Sequence, residues 1–502
     1  MTFLKRYLNE ILLSIGLLAA YLFTRLYNIM SLPIFTDEAI YTRWSQIARY
    51  DASWRFISLT DGKQPSFVWI DMILMRFVND PLLAGRLVSV LAGMVSLVGI
   101  YFLAKEIFKN KRIGYIAAII YIIYPFSLVY DRMALYESLV SAAIIWALYL
   151  GVLLIRLRRL DVALILGMVM GAGVLTKSSA FFAIYLLPLS LLLFDFRQKR
   201  WKGELIKWAA LAGLASVMAF GFYSIQRLSP FFHIIEQKTT VFVYPIREWI
   251  SHPFDFFIGN LNGLTSWLID YITYPFLILI LISFFLGRNL REKLFLLSWF
   301  IVPFILLALF GRVLYPRFIL FMTMPLLVLG AFSINYILEN VRSNLLKLGL
   351  IFVFLVLFLR SNFYILTDFA HAPIPKADTD QFMNEWPAGG GIQEVINLLE
   401  EKAKKEKIYV LTGGTFGSLP TYAMEIYLDE NKNIEKRGIH PIPKNIPEDL
   451  LERAKLMPTF VFMSNQKEFE ENIKGWPIKL IAEYRKGIGT AYTRLYEVIP
   501  SN

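Results

Sequence analysis

Residues 82–104 read LLAGRLVSVLAGMVSLVGIYFLA, and this one stretch decides the class of fold. It carries a single charged side chain, Arg86, and is long enough as a helix to cross the roughly 30 Å hydrocarbon layer of a bilayer. Working outward, comparable apolar runs recur near 9–29, 113–130, 138–155, 162–176, 179–194, 205–226, 266–287, 294–311, 318–337 and 345–360. The expected architecture is an all-α polytopic membrane protein of about eleven transmembrane helices. A chain of 502 residues that is 57% hydrophobic and 18% charged has too much apolar surface for one water-soluble core. The first run follows Lys5 and Arg6 and lacks a small-residue cleavage site, so it reads as a retained span.

Charge sets the expected orientation. Lys105, Lys109, Lys111 and Arg112, then Arg156, Arg158 and Arg159, then Arg197, Lys199, Arg200 and Lys202, then Arg288, Arg291 and Lys293 fall in alternate loops. By the positive-inside rule these loops and the N-terminus face the cytoplasm of a cell membrane, which places everything after the last span outside. Residues 1–360 are the expected membrane domain and 361–502 an extracytoplasmic domain, in which short β runs such as KIYVLTGG and TFVFMS alternate with helical stretches as in a small α/β fold. The net charge of +12 resides mainly in the short loops, so nucleic acid is not an expected partner. There is no cysteine, which excludes disulfides, thiolate metal sites and a cysteine nucleophile.

Two expected outer segments are long. In the first, TDEAIYTRWSQIARY places Ile40, Trp44, Ile47 and Ala48 on one helical face and reads as an interfacial helix. PSFVWIDMILMRF at 65–77 is too short to span and reads as re-entrant or interfacial. The second long segment, about 227–265, holds His233 and His252 among aromatics.

Several basic residues break the orientation rule. Lys63, Arg132, Lys177, Arg312 and Arg317 all fall at outer ends or loops, where cations are scarce. Each alone could snorkel to a headgroup or pair with a nearby acid, but five together point to a bound anion, and a lipid phosphate is the most available anion at that depth. Acids gather on the same side: Asp37 with Glu38, Asp61, Asp131 and Glu137. Asp37 and Glu38 could be ordinary first-turn acids of a helix, and Arg132 could pair with Glu137. Asp378-Thr379-Asp380 spells a nucleotide-sugar motif, yet nucleotide sugars are cytoplasmic. GGTFG at 413–417 is better read as a tight strand-to-helix turn, and four histidines without paired spacing argue against zinc.

The order of these segments carries a resemblance. DEAIY at 37–41 is followed by GKQPSF at 62–67, RMALYES at 132–138, GVLTKS at 173–178 and YPRFILFMTMPLLVL at 315–329. This resembles the GT-C superfamily of membrane glycosyltransferases, in the branch of protein O-mannosyltransferases and the lipid A aminoarabinose transferase. Members of that branch have an acidic pair in the first outer loop, a Lys-Pro-Pro segment, an Arg…Asp/Glu turn, a Leu-Thr-Lys turn and an Arg-Tyr start to a late span. Here the second motif is Lys63-Gln64-Pro65 and the last is Pro316-Arg317-Phe318. EQKTTVF at 236–242 lacks the histidine of some relatives, so no metal is carried over and no cofactor is assigned, although a divalent ion stays open.

The resemblance implies transfer of a sugar from a polyprenyl phosphate to a hydroxyl of a protein, lipid or glycan, at the membrane surface and with inversion. It implies Asp37 as catalytic base with Glu38 orienting it or the acceptor, Lys63, Arg132, Lys177 and Arg317 on the donor phosphate, and Tyr41 and Glu137 in support. The rival expectation is a multi-pass transporter or lipid flippase, which would more often carry ionisable groups near mid-membrane.

Overall fold

The computed structural model describes residues 2–415, 417–464 and 471–500, with side chains from Leu8 onward. All eleven apolar runs are helical. Among the described residues seven helices are long and apolar enough to cross a bilayer: Leu8–Leu26, Pro81–Phe108, Glu137–Leu157, Trp201–Leu228, Leu290–Phe310, Pro316–Asn340 and Asn344–Thr367. Phe257–Ile272 and Tyr274–Ser283, bent by 94° at Thr273, make an eighth if taken as one span.

The other three runs fall short of a full span for identifiable reasons. Lys111–Ile123 stops at Tyr124 because Pro125 follows; proline drives its predecessor into an extended conformation and starts the next short helix, Pro125–Tyr130. Leu160–Val174 has 15 residues, about 22 Å of helix at 1.5 Å per residue. Ser178–Leu193 is wound mostly as a 3-10 helix around a single α turn. The chain is a multi-pass membrane protein whose bundle mixes helices of full spanning length with shorter ones.

Buried ion pairs bind the first helices together. Arg25 and Asp131, both fully buried, meet at 3.3 Å, and Asp131 also accepts from the Tyr121 and Ser138 hydroxyls. Gly93 makes room for this cluster, since a Cβ there would lie 2.1 Å from the Tyr21 hydroxyl and 2.5 Å from the Asp131 carboxylate.

The C-terminal domain is a five-stranded sheet in the order β2-β1-β3-β5-β4: β1 Ile408–Gly413, β2 Ile434–Ile439, β3 Thr459–Ser464, β4 Ile478–Arg485 and β5 Tyr492–Val498. β1 runs parallel to β2 and β3, and β5 antiparallel to β3 and β4. Helices Ile392–Ala403, Leu419–Leu428 and Glu448–Leu456 pack around it. Side-chain alternation along β1 explains its burial on both faces: Ile408 and Val410 join the core continuous with the membrane bundle, while Tyr409 and Leu411 join a second cluster with Leu450, Ile473 and Trp476. The expected α/β character is present. The helix anticipated at 466–474 lies partly outside the described residues.

The Thr36–Tyr50 helix forms over the anticipated residues but does not lie open on a membrane surface. Its apolar face packs on Ser66–Leu74 and Pro81–Phe108, and its polar face is covered by Leu419–Leu428 of the sheet domain. There Arg43 pairs with Glu425 and Asp429, each at 2.9 Å, and the Gln46 amide donates to the Ile426 carbonyl. Arg43 and Gln46 thereby find protein partners in place of headgroups.

Candidate active site

Asp37 and Glu38 sit side by side at the start of one helix, about 100° apart around its axis, and they reach different surroundings. Glu38 points into the bundle. Its carboxylate accepts Arg86 Nε and Nη2, both at 2.9 Å, together with the backbone N–H groups of Phe35 and Ala134 at 3.0 and 2.8 Å. Glu38 and Arg86 are fully buried, so this pair knits the helix start to Pro81–Phe108. Glu38→Ala, which leaves Arg86 buried without its partner, is expected to cost about 3–5 kcal/mol, seen as a lower thermal unfolding midpoint in detergent.

Asp37 turns the other way, to Arg317, at 2.8 Å. Arg317 lies in the Pro316–Ile319 turn that opens a long helix, with its guanidinium over the rings of Tyr315 and Phe35. Its Nε has no hydrogen-bond partner. The Asp37 side chain is about a quarter exposed (24%). Burial pushes its carboxyl up, but Arg317, Lys63 and Lys177 outweigh this and hold it below the usual carboxylate range.

Arg317 lines a cavity of about 600 Å³. Its lining carries a basic group, Lys63, Lys177, Lys238 and Arg317, together with Tyr41, Tyr136 and Glu137. The rest is apolar, with Phe182, Tyr185, Leu306, Phe310, Phe318 and Phe321. Asp37 does not line this cavity; it stands one ion pair behind a residue that does. Two bonds bring Lys63 and Lys177 together, the Gln64 amide to the Ser178 hydroxyl at 2.7 Å and the Ser66 N–H to the Leu175 carbonyl at 3.1 Å. A short antiparallel contact closes another wall, where Tyr244 N–H donates to the Phe310 carbonyl and Arg312 N–H to that of Phe242.

The cations are held in different ways. Lys177 pairs with Glu137 at 2.6 Å and lies over the Phe318 ring, and Lys238 pairs with Asp61 at 2.6 Å. Lys63 lies over the Phe242 ring and, among the described residues, has no carboxylate within ion-pair distance. Burial pushes its ammonium down to about 8, with Lys177 and Arg317 adding to the shift and Asp37 opposing it.

The anticipated set is therefore divided. Lys63, Lys177, Arg317, Tyr41 and Glu137 meet at the cavity, with Asp37 beside them. Arg132 does not: its guanidinium donates to the carbonyls of Thr24, Tyr27 and Asn28, capping the end of the first helix beside a separate cavity of about 210 Å³. Glu137 pairs with Lys177 and not with Arg132, and Asp131 belongs to Arg25. Arg312 stacks on Tyr244 and pairs loosely with Glu248 at 3.8 Å. Lys238 was not anticipated, although it too is a basic residue on the side where cations are scarce.

Asp378 and Asp380 do not share a site. Asp378 is fully buried and accepts the hydroxyls of Tyr130 and Tyr271, while Asp380 pairs with Lys376. Burial pushes the Asp378 carboxyl up to about 7 against the pull of those two hydroxyls. Among the described residues no cluster of three or more His, Asp or Glu is placed to hold a metal ion.

Comparison with known proteins places this geometry in context. Residues 62–223 match the sequence pattern of the family described as dolichyl-phosphate-mannose-protein mannosyltransferase, a stretch that includes the GKQPSF, RMALYES and GVLTKS segments. The undecaprenyl phosphate-alpha-4-amino-4-deoxy-L-arabinose arabinosyl transferase of Pseudomonas aeruginosa (strain UCBPP-PA14) is 27% identical over 194 residues, covering 36% of this chain and 34% of that protein. The chain thus aligns with about a third of the length of that relative.

Likeness of fold extends much further. The crystal structure of ArnT from Cupriavidus metallidurans bound to undecaprenyl phosphate superposes over 99% of both chains with a TM-score of 0.56 at 12% identity. The archaeal oligosaccharyltransferase AglB from Archaeoglobus fulgidus, in complex with an inhibitory peptide and a dolichol-phosphate, superposes over 95% of this chain and 73% of its own with a TM-score of 0.53 at 14% identity. The expected fold class is borne out, and so is the resemblance drawn from the motif order.

Proposed function

We propose that this chain is a glycosyltransferase that moves a sugar from a polyprenyl phosphate to an acceptor hydroxyl of a protein, lipid or glycan. The observation that carries this is one cavity lined by four cations and by aromatic and aliphatic side chains, with a carboxylate ion-paired to one of the cations. The cations suit the phosphate head of such a donor, and the apolar side chains suit its isoprenoid tail. ArnT and AglB, whose folds this chain shares, were each solved with a polyprenyl phosphate of this kind.

In the proposed reaction the acceptor oxygen attacks the anomeric carbon from the face opposite the phosphate. The bond from carbon to phosphate oxygen breaks, and the sugar is inverted. The acceptor proton passes to Asp37, and the donor phosphodiester leaves as a monoester carrying one more negative charge. Lys63, Lys177 and Arg317 are the donor-phosphate ligands, with Lys238 added to the set. Fixed cations are most effective where charge develops, and phosphate leaves without a general acid. Tyr41 supports the carboxylate from one helical turn away, and Glu137 orients Lys177. Glu38 and Arg132 have structural partners instead and are not assigned to the chemistry.

The test is transfer in proteoliposomes from synthetic polyprenyl-phosphate sugars to protein, lipid and glycan acceptors. No transfer from any donor that binds would overturn the assignment. Donor affinity is also expected to fall as pH rises through about 8, where Lys63 loses its proton, and Lys63→Arg is expected to move that fall to higher pH. An unchanged profile in Lys63→Arg would remove Lys63 from the phosphate site. The proposed orientation puts the N-terminus in the cytoplasm and the sheet domain outside. Since the chain has no cysteine, labelling Lys405→Cys with an impermeant maleimide in intact cells tests it directly, and protection would reverse it.

A further inference from the structure

The segment that joins the last long helix to the sheet domain passes under the start of the Asp37 helix and touches it repeatedly. The Thr36 backbone N–H and hydroxyl both donate to the Pro387 carbonyl, at 3.1 and 2.9 Å. Phe35 forms an isolated antiparallel bridge with Ala388, and its ring meets the edge of Phe382 at 5.0 Å. Gly389 allows the approach, because a Cβ there would lie 2.2 Å from the Ile34 carbonyl oxygen.

The same segment is fastened to the membrane bundle. Asp378 accepts hydroxyls from Tyr130 and Tyr271, and the Tyr271 ring stacks on Phe126 at 3.8 Å and 7°. Phe382 also meets the edge of Tyr130. Phe35, gripped between these contacts, lies beneath the Arg317 guanidinium. A linker that merely tethered two domains would need none of these bonds.

On the basis of the proposed transfer reaction, we infer that residues 378–389 are a positioning clamp for Asp37, with Asp378 as its anchor on the bundle and Thr36 as the point where it grips the helix. None of these residues touches a reacting atom; each acts through the placement of the Asp37 carboxylate on Arg317. The sheet domain thereby becomes part of the catalytic geometry, whichever acceptor it serves.

Two variants test this. Thr36→Val removes the hydroxyl bond while keeping the backbone bond, and Asp378→Asn keeps the anchor's shape. Each is expected to lower kcat by about tenfold with the donor KM changed less than about twofold, since misplacement of a reacting group by a fraction of an ångström acts on the rate. In an Asp37→Asn background each is expected to change the residual rate by less than about twofold, because the group they position has lost its function. Losses as large in that background, no loss in the wild-type background, or losses confined to donor KM would overturn the clamp.

If Asp378→Asn unfolds in detergent, Thr36→Val carries the test. A readout independent of transfer separates this inference from the proposed function. In Asp37→Cys, the single thiol of the chain, the rate of maleimide labelling is expected to shift about fivefold when Thr36→Val is added, a change in thiol accessibility or thiolate fraction. An unchanged labelling rate would sink the clamp even if transfer were abundant, and a shifted rate would uphold it even if no donor were turned over.

Discussion

Asp37→Asn is expected to lower the rate of sugar transfer by about 10²- to 10⁴-fold, the usual range for loss of a general base, while donor affinity stays level or improves. Asparagine keeps the size and the hydrogen bond to Arg317 but cannot take up a proton. It also removes the negative charge that neutralises Arg317 in the resting protein, where the pair meets at 2.8 Å, so an incoming phosphate meets a more positive site. Rate and affinity should therefore separate, which measured kcat and equilibrium donor binding would show. Transfer at the wild-type rate would remove Asp37 from the role of base. Parallel loss of rate and affinity would recast it as part of the donor site.

Arg317→Met is expected to cost about 10²–10³ in kcat, comparable to removing one donor from a preorganised charge-stabilising site, and to weaken donor binding as well. Its second effect concerns pH. In the wild type, burial pushes the Asp37 carboxyl up while Arg317, Lys63 and Lys177 pull it below the usual range. Without Arg317 the upward push of burial meets less opposition, so the Asp37 pKa rises. A base works only above its pKa, so the acid limb of the pH–rate profile should move to higher pH. Arg317→Lys should keep part of the rate, since the charge remains while the planar fork is lost. An acid limb unmoved in Arg317→Met would mean that Asp37 is not the group titrating there. The ion pair also answers an apparent objection, that a carboxylate held so acidic makes a poor base. In the proposed reaction the donor phosphate engages Arg317, which would weaken the pull on Asp37 and make the carboxylate more basic when the substrate is in place.

The lengths and limits of most spans were legible in the sequence because a hydrocarbon slab imposes a one-dimensional rule on residue type. That rule does not report breaks. Pro125 stands in an otherwise apolar run, and Thr273 bends another where the backbone adopts φ 63°, ψ 147°. Strands β2 and β5 went unread for a different reason. IEKRGI forms an edge strand with mostly half-exposed positions, and YTRLYEV carries charge at half-buried ones, so neither shows a clean alternation.

At the site, sequence grouped the charged residues on one expected side of the membrane but said nothing of their position around the bundle. Lys63, Lys177 and Arg317 were legible as cations out of place, and they converge. Arg132 was equally out of place and turns instead to the carbonyl end of the first helix. Glu38 was indistinguishable from Asp37 in the string DEAIY; one residue's rotation about the helix sends it to Arg86. Lys238 is inconspicuous in the sequence because it stands in a polar stretch two residues after Glu236.

The pairing pattern at the cavity has an electrostatic consequence for turnover. With Lys63 protonated, four cations face three carboxylates, Asp37, Glu137 and Asp61, which leaves one uncompensated positive charge. A singly charged phosphodiester brings the sum to zero. In the proposed reaction transfer protonates Asp37 and doubles the charge on the departing phosphate, and the sum is still zero, so neither step would draw a counterion into a low-dielectric space. Electroneutrality ends only when Asp37 releases its proton to water, and the spent carrier is then in excess by one negative charge. Deprotonation of the base would be the event that expels it.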